Sequence, residues 1–133
     1  LAVLTALLTA LVLYLMTPRT EIRSLTGFRC YFVPRCEVNY QSYHRDNDLY
    51  NMGIYKLNGQ DAARFVYWAQ ENGWSPMPLS DEALTSGMLD EETCPEAAKI
   101  KQVTQGFWKG FHGSYLYVFD SQTATLYIRK MPR

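Results

Sequence analysis

The sequence predicts an α+β protein in which a single N-terminal transmembrane helix precedes a small antiparallel sheet with about two helices on one face. Three observations lead to this fold class: an uncharged apolar run over residues 1–16, a hairpin pattern near the C-terminus, and two helix patterns that lie between strand patterns. The predicted order is strand, strand, helix, helix, strand, strand, which favours antiparallel pairing with packed helices. At 133 residues the chain has room for one compact domain.

The apolar run predicts a membrane anchor. It reads LAVLTALLTALVLYLM and has no charged side chain. At a helical rise of 1.5 Å per residue it spans roughly 24 Å, close to a hydrocarbon core of about 30 Å. We expect Pro18 to end the helix, because a proline pushes the preceding residue out of the α region. The transmembrane helix is therefore residues 1–17 and a juxtamembrane connection is residues 18–35. A cleavable signal peptide is the alternative, but no small-x-small cleavage site precedes Thr17.

Small residues recur along the predicted anchor at a spacing of four. Ala2, Ala6 and Ala10 would share one helix face, where a partner helix can approach closely. A lipid-facing role for the same residues is the alternative.

Two opposing signals in the sequence bear on which side of the membrane the domain lies. Four arginines follow the apolar run, and the positive-inside rule would place them in the cytoplasm; they are Arg19, Arg23, Arg29 and Arg35. Cys30 and Cys36 argue for the outside, because Pro34 favours a bend between them and a short cysteine loop suits an oxidising compartment. Two reduced cysteines are the alternative. We predict a Cys30–Cys36 disulfide and an extracytoplasmic, periplasmic domain.

The sequence predicts that residues 36–133 form the soluble α+β domain. Residues 36–43 alternate as a half-buried strand does, and residues 52–57 form a second strand. Asn58 can cap a helix that continues to about Asn72, with Gly73 as its terminator.

For the rest of the domain the sequence predicts an edge strand, a second helix and a hairpin of two strands. Residues 74–79 contain two prolines and are at best an edge strand. Thr93 and Glu96 form a capping box for a helix that ends before Gly106. Residues 114–120 and 124–131 form a hairpin.

Composition and motifs exclude several classes of function. Lysine plus arginine and aspartate plus glutamate both number 13, so the chain is not a general nucleic-acid binder. His44, Asp46 and Asp48 lie in one turn without the bidentate acid of a calcium loop, so we predict no metal site and no cofactor.

A thiol nucleophile is the one enzymatic possibility. Cys94 and His112 could form a thiol–base pair, but no oxyanion motif accompanies them. We predict a structural role for Cys94 and no enzyme activity.

The segment GFWKGFHG, residues 106–113, is the expected functional surface. Its glycines predict a flexible exposed loop, and exposed aromatic side chains often anchor protein interfaces. The predicted contact residues are Phe107, Trp108, Phe111 and His112. The alternative is that these side chains are part of the core.

These features predict a membrane-anchored extracytoplasmic interaction protein. It would pair with another membrane or envelope protein as an accessory, regulatory or inhibitory subunit, with a transmembrane partner helix as one contact. A small-ligand sensor, with a pocket that sequence cannot reveal, is the first alternative. A thiol enzyme that uses Cys94 and His112 is the second.

Overall fold

The computed structural model describes residues 1–43, 49–92, 94–111 and 114–130. Its helices and strands are, in chain order, α1 (Ala2–Thr26), β1 (Arg35–Tyr43), β2 (Leu49–Lys56), α2 (Gly59–Glu71), β3 (Ser75–Pro76), α3 (Asp81–Leu84), a 3₁₀ turn (Gly87–Leu89), α4 (Ala97–Lys101), β4 (Gly106–Phe111), β5 (Tyr115–Asp120) and β6 (Thr125–Lys130). The six strands form one sheet in the order β1-β2-β6-β5-β4-β3. All neighbouring strands are antiparallel, which confirms the predicted α+β class.

The sheet is covered on both faces, so the expectation of helices on one face is wrong. One face packs against α2 and the end of α1, where Ile22, Phe65 and Phe119 are buried together. The other face packs against residues 79–103, which include α3, the 3₁₀ turn and α4. Successive residues of β5 contribute to opposite clusters, as the two-residue period of a strand requires. A strand that is apolar at consecutive positions therefore needs cover on both sides.

Helix α1 does not end at Pro18. It continues to Thr26, where Gly27 adopts a left-handed conformation with φ 89° and donates its N–H to the Arg23 carbonyl. Ile22 is fully buried in the domain core. The burial of this last part of the helix offsets the hydrogen bond that proline cannot donate. Residues 18–26 are therefore part of a helix and of the domain, and the predicted juxtamembrane connection is reduced to residues 27–34.

The N-terminal part of α1 is apolar and exposed. Helix α1 is long and apolar enough to cross a membrane, and none of its most apolar stretch is buried against the domain. The hydroxyls of Thr5 and Thr9 donate to the carbonyls of Leu1 and Thr5, at 2.9 Å each. These bonds satisfy the hydroxyls within the helix, as an apolar environment requires.

Several local predictions are confirmed. The Asn58 side chain accepts a hydrogen bond from the Gln60 N–H at 2.8 Å and begins α2, and Gly73 follows the helix with φ 78°. Strands β5 and β6 form the predicted hairpin, and β3 is an edge strand. Helix α4 is shorter than predicted: Glu96 is its N-cap residue without a side-chain capping bond, and Thr93 lies outside the described residues.

Candidate functional site

The first six residues of the segment GFWKGFHG form a strand and not a flexible loop. Residues 106–111 form β4, which pairs with β5 on one side and β3 on the other. Gly106 has a φ of +135°, and a Cβ atom there would lie 1.8 Å from the Phe119 carbonyl oxygen. This glycine is therefore present because two strands approach closely, and not because the backbone is free.

The predicted aromatic contact residues do not form one surface. Phe107 and Trp108 are consecutive in β4, so their side chains lie on opposite faces of the sheet. Phe107 packs against the cluster that contains α2. Trp108 packs against the opposite cluster and is half-buried. The Phe111 side chain and His112 lie outside the described residues.

Trp108 instead lines an open groove on the second face of the sheet. The groove has a volume of about 530 Å³ and lies between strands β4 and β5 and residues 80–88. Its walls include Ser80, Glu82, Met88, Trp108, Tyr115 and Leu116. We call this cavity the Trp108 groove. Its volume falls in the range of roughly 300–1,000 Å³ that is typical of ligand sites.

The polar side of the Trp108 groove is built on α3. Ser80 caps this short helix by accepting a hydrogen bond from the Ala83 N–H at 3.2 Å. Glu82 follows in the first turn and is exposed. The groove therefore combines an indole ring and aliphatic side chains with one exposed carboxylate, which suits a partner that has an apolar residue beside a cation.

A buried arginine holds the wall of the groove to the sheet. Arg129 of β6 is 1% exposed, and its Nε donates to the Met88 carbonyl at 3.1 Å. No local signal in the sequence marks Arg129 as buried. Its neighbours in β6 place it on the same face as the 3₁₀ turn, which only the tertiary fold reveals.

The predicted Cys30–Cys36 disulfide does not form. All three cysteines are free: Cys30 is buried in the core and Cys36 is exposed on β1. Burial, followed by the nearby Asp61 carboxylate, raises the pKa of the Cys30 thiol to about 12. The chain bends at Tyr31 and Phe32, before Pro34, and Cys36 then lies in β1, so the two thiols are in different environments.

Cys94 has the surroundings of a structural cysteine. It is fully buried, and its Sγ lies 4.0 Å from the Met52 Sδ. Burial raises the pKa of the Cys94 thiol, whereas a nucleophile needs a lowered pKa. His112, its proposed partner, lies outside the described residues.

Asp61 is an important residue whose role the sequence did not indicate. It is 1% exposed, and its carboxylate accepts the backbone N–H groups of Tyr31 at 3.0 Å and Phe32 at 2.9 Å. Arg64 donates to the same carboxylate at 2.8 Å. The sequence places Asp61 in the first turn of a helix, where an acid is common for electrostatic reasons alone.

Two further groups of predicted residues lie outside the domain core or outside the described residues. His44, Asp46 and Asp48 lie outside the described residues, and the remaining chain brings no three metal-ligating side chains together. Ala2, Ala6 and Ala10 are all exposed on α1, as a lipid-facing or partner-facing role would require.

Comparison of the chain with known protein families, with curated proteins and with solved structures finds no match. The function is therefore argued from the geometry of the chain.

Proposed function

We propose that this chain is a single-pass membrane protein whose small α+β domain binds another membrane or envelope protein through the Trp108 groove. The observation that carries the proposal is the first half of α1, where the leucine and valine side chains from Leu1 to Leu13 are exposed and no domain surface covers them. Exposed apolar side chains in such a number need a bilayer or a protein partner.

The Trp108 groove supports the second part of the proposal. Tryptophan is among the residues that contribute most to protein interfaces, and it does so in pockets that exclude water. The groove lies on the sheet face opposite α1, so a partner can reach it while the helix is in the membrane. An accessory, regulatory or inhibitory subunit would need such an accessible contact surface.

Glu82→Arg is a sharper test of the groove than truncation of Trp108. Trp108→Ala also removes packing from the core, so lost binding could reflect lost stability. Glu82 is exposed, and an arginine there would fill the groove and reverse its charge. Asp81→Arg is the matched control, because Asp81 is the adjacent acid in the same helical turn but does not line the groove.

The full chain would be purified from its own membranes in a mild detergent. We expect one protein to copurify with the unchanged chain and with Asp81→Arg, and to be lost with Glu82→Arg while the melting temperature is unchanged. If the same proteins copurified with all three chains, the groove would not be the contact site. Release of the unchanged chain from membranes by alkaline carbonate would contradict the anchor.

A small-ligand sensor is the second candidate, and the volume of the Trp108 groove favours it. Native mass spectrometry of the same three proteins distinguishes the two functions. If the unchanged chain and Asp81→Arg retained a small molecule and Glu82→Arg did not, the groove would be a ligand site and not a protein contact.

The extracytoplasmic side of the domain stays a prediction, and the free cysteines no longer support it. The arginines after the apolar run favour the cytoplasm. Exposed Cys36 gives a direct test with a membrane-impermeant maleimide on intact cells. Labelling of Cys36 in intact cells would place the domain outside, whereas labelling only after lysis would place it in the cytoplasm.

A further inference from the structure

Three consecutive apolar residues are exposed in the loop that connects α1 to β1. Tyr31 is 63% exposed, Phe32 is 44% exposed and Val33 is 43% exposed. We call residues 31–33 the apolar loop. Isolated exposed apolar residues are common, but a contiguous set beside an apolar helix indicates a contact surface.

The apolar loop is held in this exposed conformation by several bonds. Asp61 accepts the backbone N–H groups of Tyr31 and Phe32. The Arg64 guanidinium carbon lies 3.5 Å from the centre of the Tyr31 ring, and Arg64 also donates to the Arg29 carbonyl at 3.1 Å. These bonds fix the backbone at Tyr31 and Phe32 and hold the Tyr31 ring against Arg64, so the exposed conformation of the loop is stabilised by the fold.

The position of the loop along α1 follows from one hydrogen bond. The Nε of Arg19 donates to the Cys30 carbonyl at 3.0 Å, so the residue that precedes the loop lies beside Arg19. The apolar run ends at Met16, three residues earlier. At 1.5 Å per residue this is about 4.5 Å, which is less than the thickness of one headgroup layer, about 5–7 Å.

The orientation of α2 confirms which end of the domain is closest to the span. Gly27 follows the last turn of α1, and a Cβ atom at this position would lie 3.7 Å from the Trp68 ring, in the second half of α2. The Tyr31 N–H, in contrast, donates to Asp61 at the start of α2. Residues 27–31 therefore run back along α1, and α1 and α2 point in the same direction. The start of α2 and the apolar loop are both at the membrane-proximal end.

Basic side chains lie at the same level. Arg19, Arg23 and Arg29 line a small cleft of about 110 Å³ together with Cys30. Aromatic rings and arginines are the side chains that favour the boundary between hydrocarbon and headgroups, where the ring is buried and the cation meets lipid phosphate.

We propose that the apolar loop inserts into the headgroup layer of the leaflet from which α1 emerges. The partner of this surface is a phospholipid, whose phosphate contacts the arginine cleft. This inference rests on the proposed membrane anchoring of α1. It gives the domain a second contact with the same leaflet, so that the domain cannot swing freely about its helix.

Photo-crosslinking of the full chain in nanodiscs of phosphatidylethanolamine and phosphatidylglycerol tests the proposal. The photoreactive residue p-benzoylphenylalanine replaces Phe32 in one variant, Leu8 within α1 in a second, and Tyr67 in a third. Tyr67 is the matched control, because it is an aromatic residue that is 71% exposed and lies six positions beyond Asp61 on α2, about 9 Å farther from the membrane. Adducts are counted by mass spectrometry.

We expect lipid adducts at Leu8 and at Phe32, with the yield at Phe32 exceeding that at Tyr67 by about fivefold or more. Adducts at Leu8 with equal yields at Phe32 and Tyr67 would overturn the inference and leave the anchor intact. The absence of adducts at Leu8 would overturn the anchor and the inference with it. Adducts with protein in place of lipid at position 32 would overturn the inference and show that the loop is a protein interface. The replacement of Val33 repeats the test at a neighbouring exposed position if the Phe32 variant does not fold.

Discussion

Removal of the Asp61 carboxylate should destabilise the domain more than the loss of any exposed acid. Asp61 is 1% exposed and binds three donors: the N–H groups of Tyr31 and Phe32 and the Nη1 of Arg64 at 2.8 Å. Asp61→Ala leaves all three without this acceptor. The bonds connect α2 to the chain that follows α1, so their loss loosens two elements at once.

The magnitude follows from the exposure of the partners. A hydrogen bond to a charged group contributes about 1.5–3 kcal/mol, and two such bonds set an upper value of about 6 kcal/mol. The loop is exposed, so water replaces part of each lost bond. Arg64 is 35% exposed, so its ion pair adds no more than about 1 kcal/mol. We expect Asp61→Ala to lower the free energy of unfolding by about 3 kcal/mol. Asp61→Asn keeps one acceptor oxygen and should lower it by about half as much.

Urea unfolding of the full chain in detergent micelles measures this effect through tryptophan fluorescence, since Trp68 and Trp74 lie in the same core. Glu71→Ala is the control, because Glu71 is an exposed acid at the end of the same helix and should change the free energy of unfolding by less than about 0.5 kcal/mol. If Asp61→Ala were no more destabilising than Glu71→Ala, the proposed role of the buried carboxylate would be wrong.

Two further predictions concern the thiols and the glycines. A maleimide at neutral pH should label exposed Cys36 about a hundredfold faster than Cys30 or Cys94, because burial of the latter two thiols excludes the reagent. Equal rates, or a Cys30–Cys36 bridge in a non-reducing mass map, would refute the described packing. Gly106→Ala should lower the free energy of unfolding by about 3 kcal/mol or more in the urea assay, because its Cβ would overlap the backbone of β5. Gly59→Ala is the control, because no atom lies within 4 Å of a Cβ there, and it should be neutral or slightly stabilising; a similar loss in both variants would contradict the close approach of the two strands.

Elements whose signals are local could be predicted from the sequence. Helix α2 has its cap at Asn58 and its terminator at Gly73 within one short segment, and both residues have the predicted role in the structure. The β5–β6 hairpin has two apolar strands separated by a short polar turn. In each case the residues that determine the element contact one another along the chain.

Elements that depend on distant residues could not be predicted. The extension of α1 past Pro18 requires the burial of Ile22 against α2 and the sheet, which the local sequence does not reveal. The sequence predicts a loop in place of strand β4 because the glycines there resemble those of a loop, whereas Gly106 is set by its close approach to β5. The Trp108 groove combines residues 80–88 with residues 108–116, so no single segment of the sequence contains its signal.

The continuity of α1 with the domain core separates the two proposed contact surfaces in space. The small residues near the start of α1 lie within the proposed span, and the helix then packs on one face of the sheet through Ile22. The Trp108 groove is on the opposite face, and it lies toward the Tyr115 end of β5, away from the Asp120 end near the start of α2. One small partner cannot cover both surfaces. A partner that binds the groove must therefore approach from the aqueous side, and a partner helix in the membrane would be a second, independent contact.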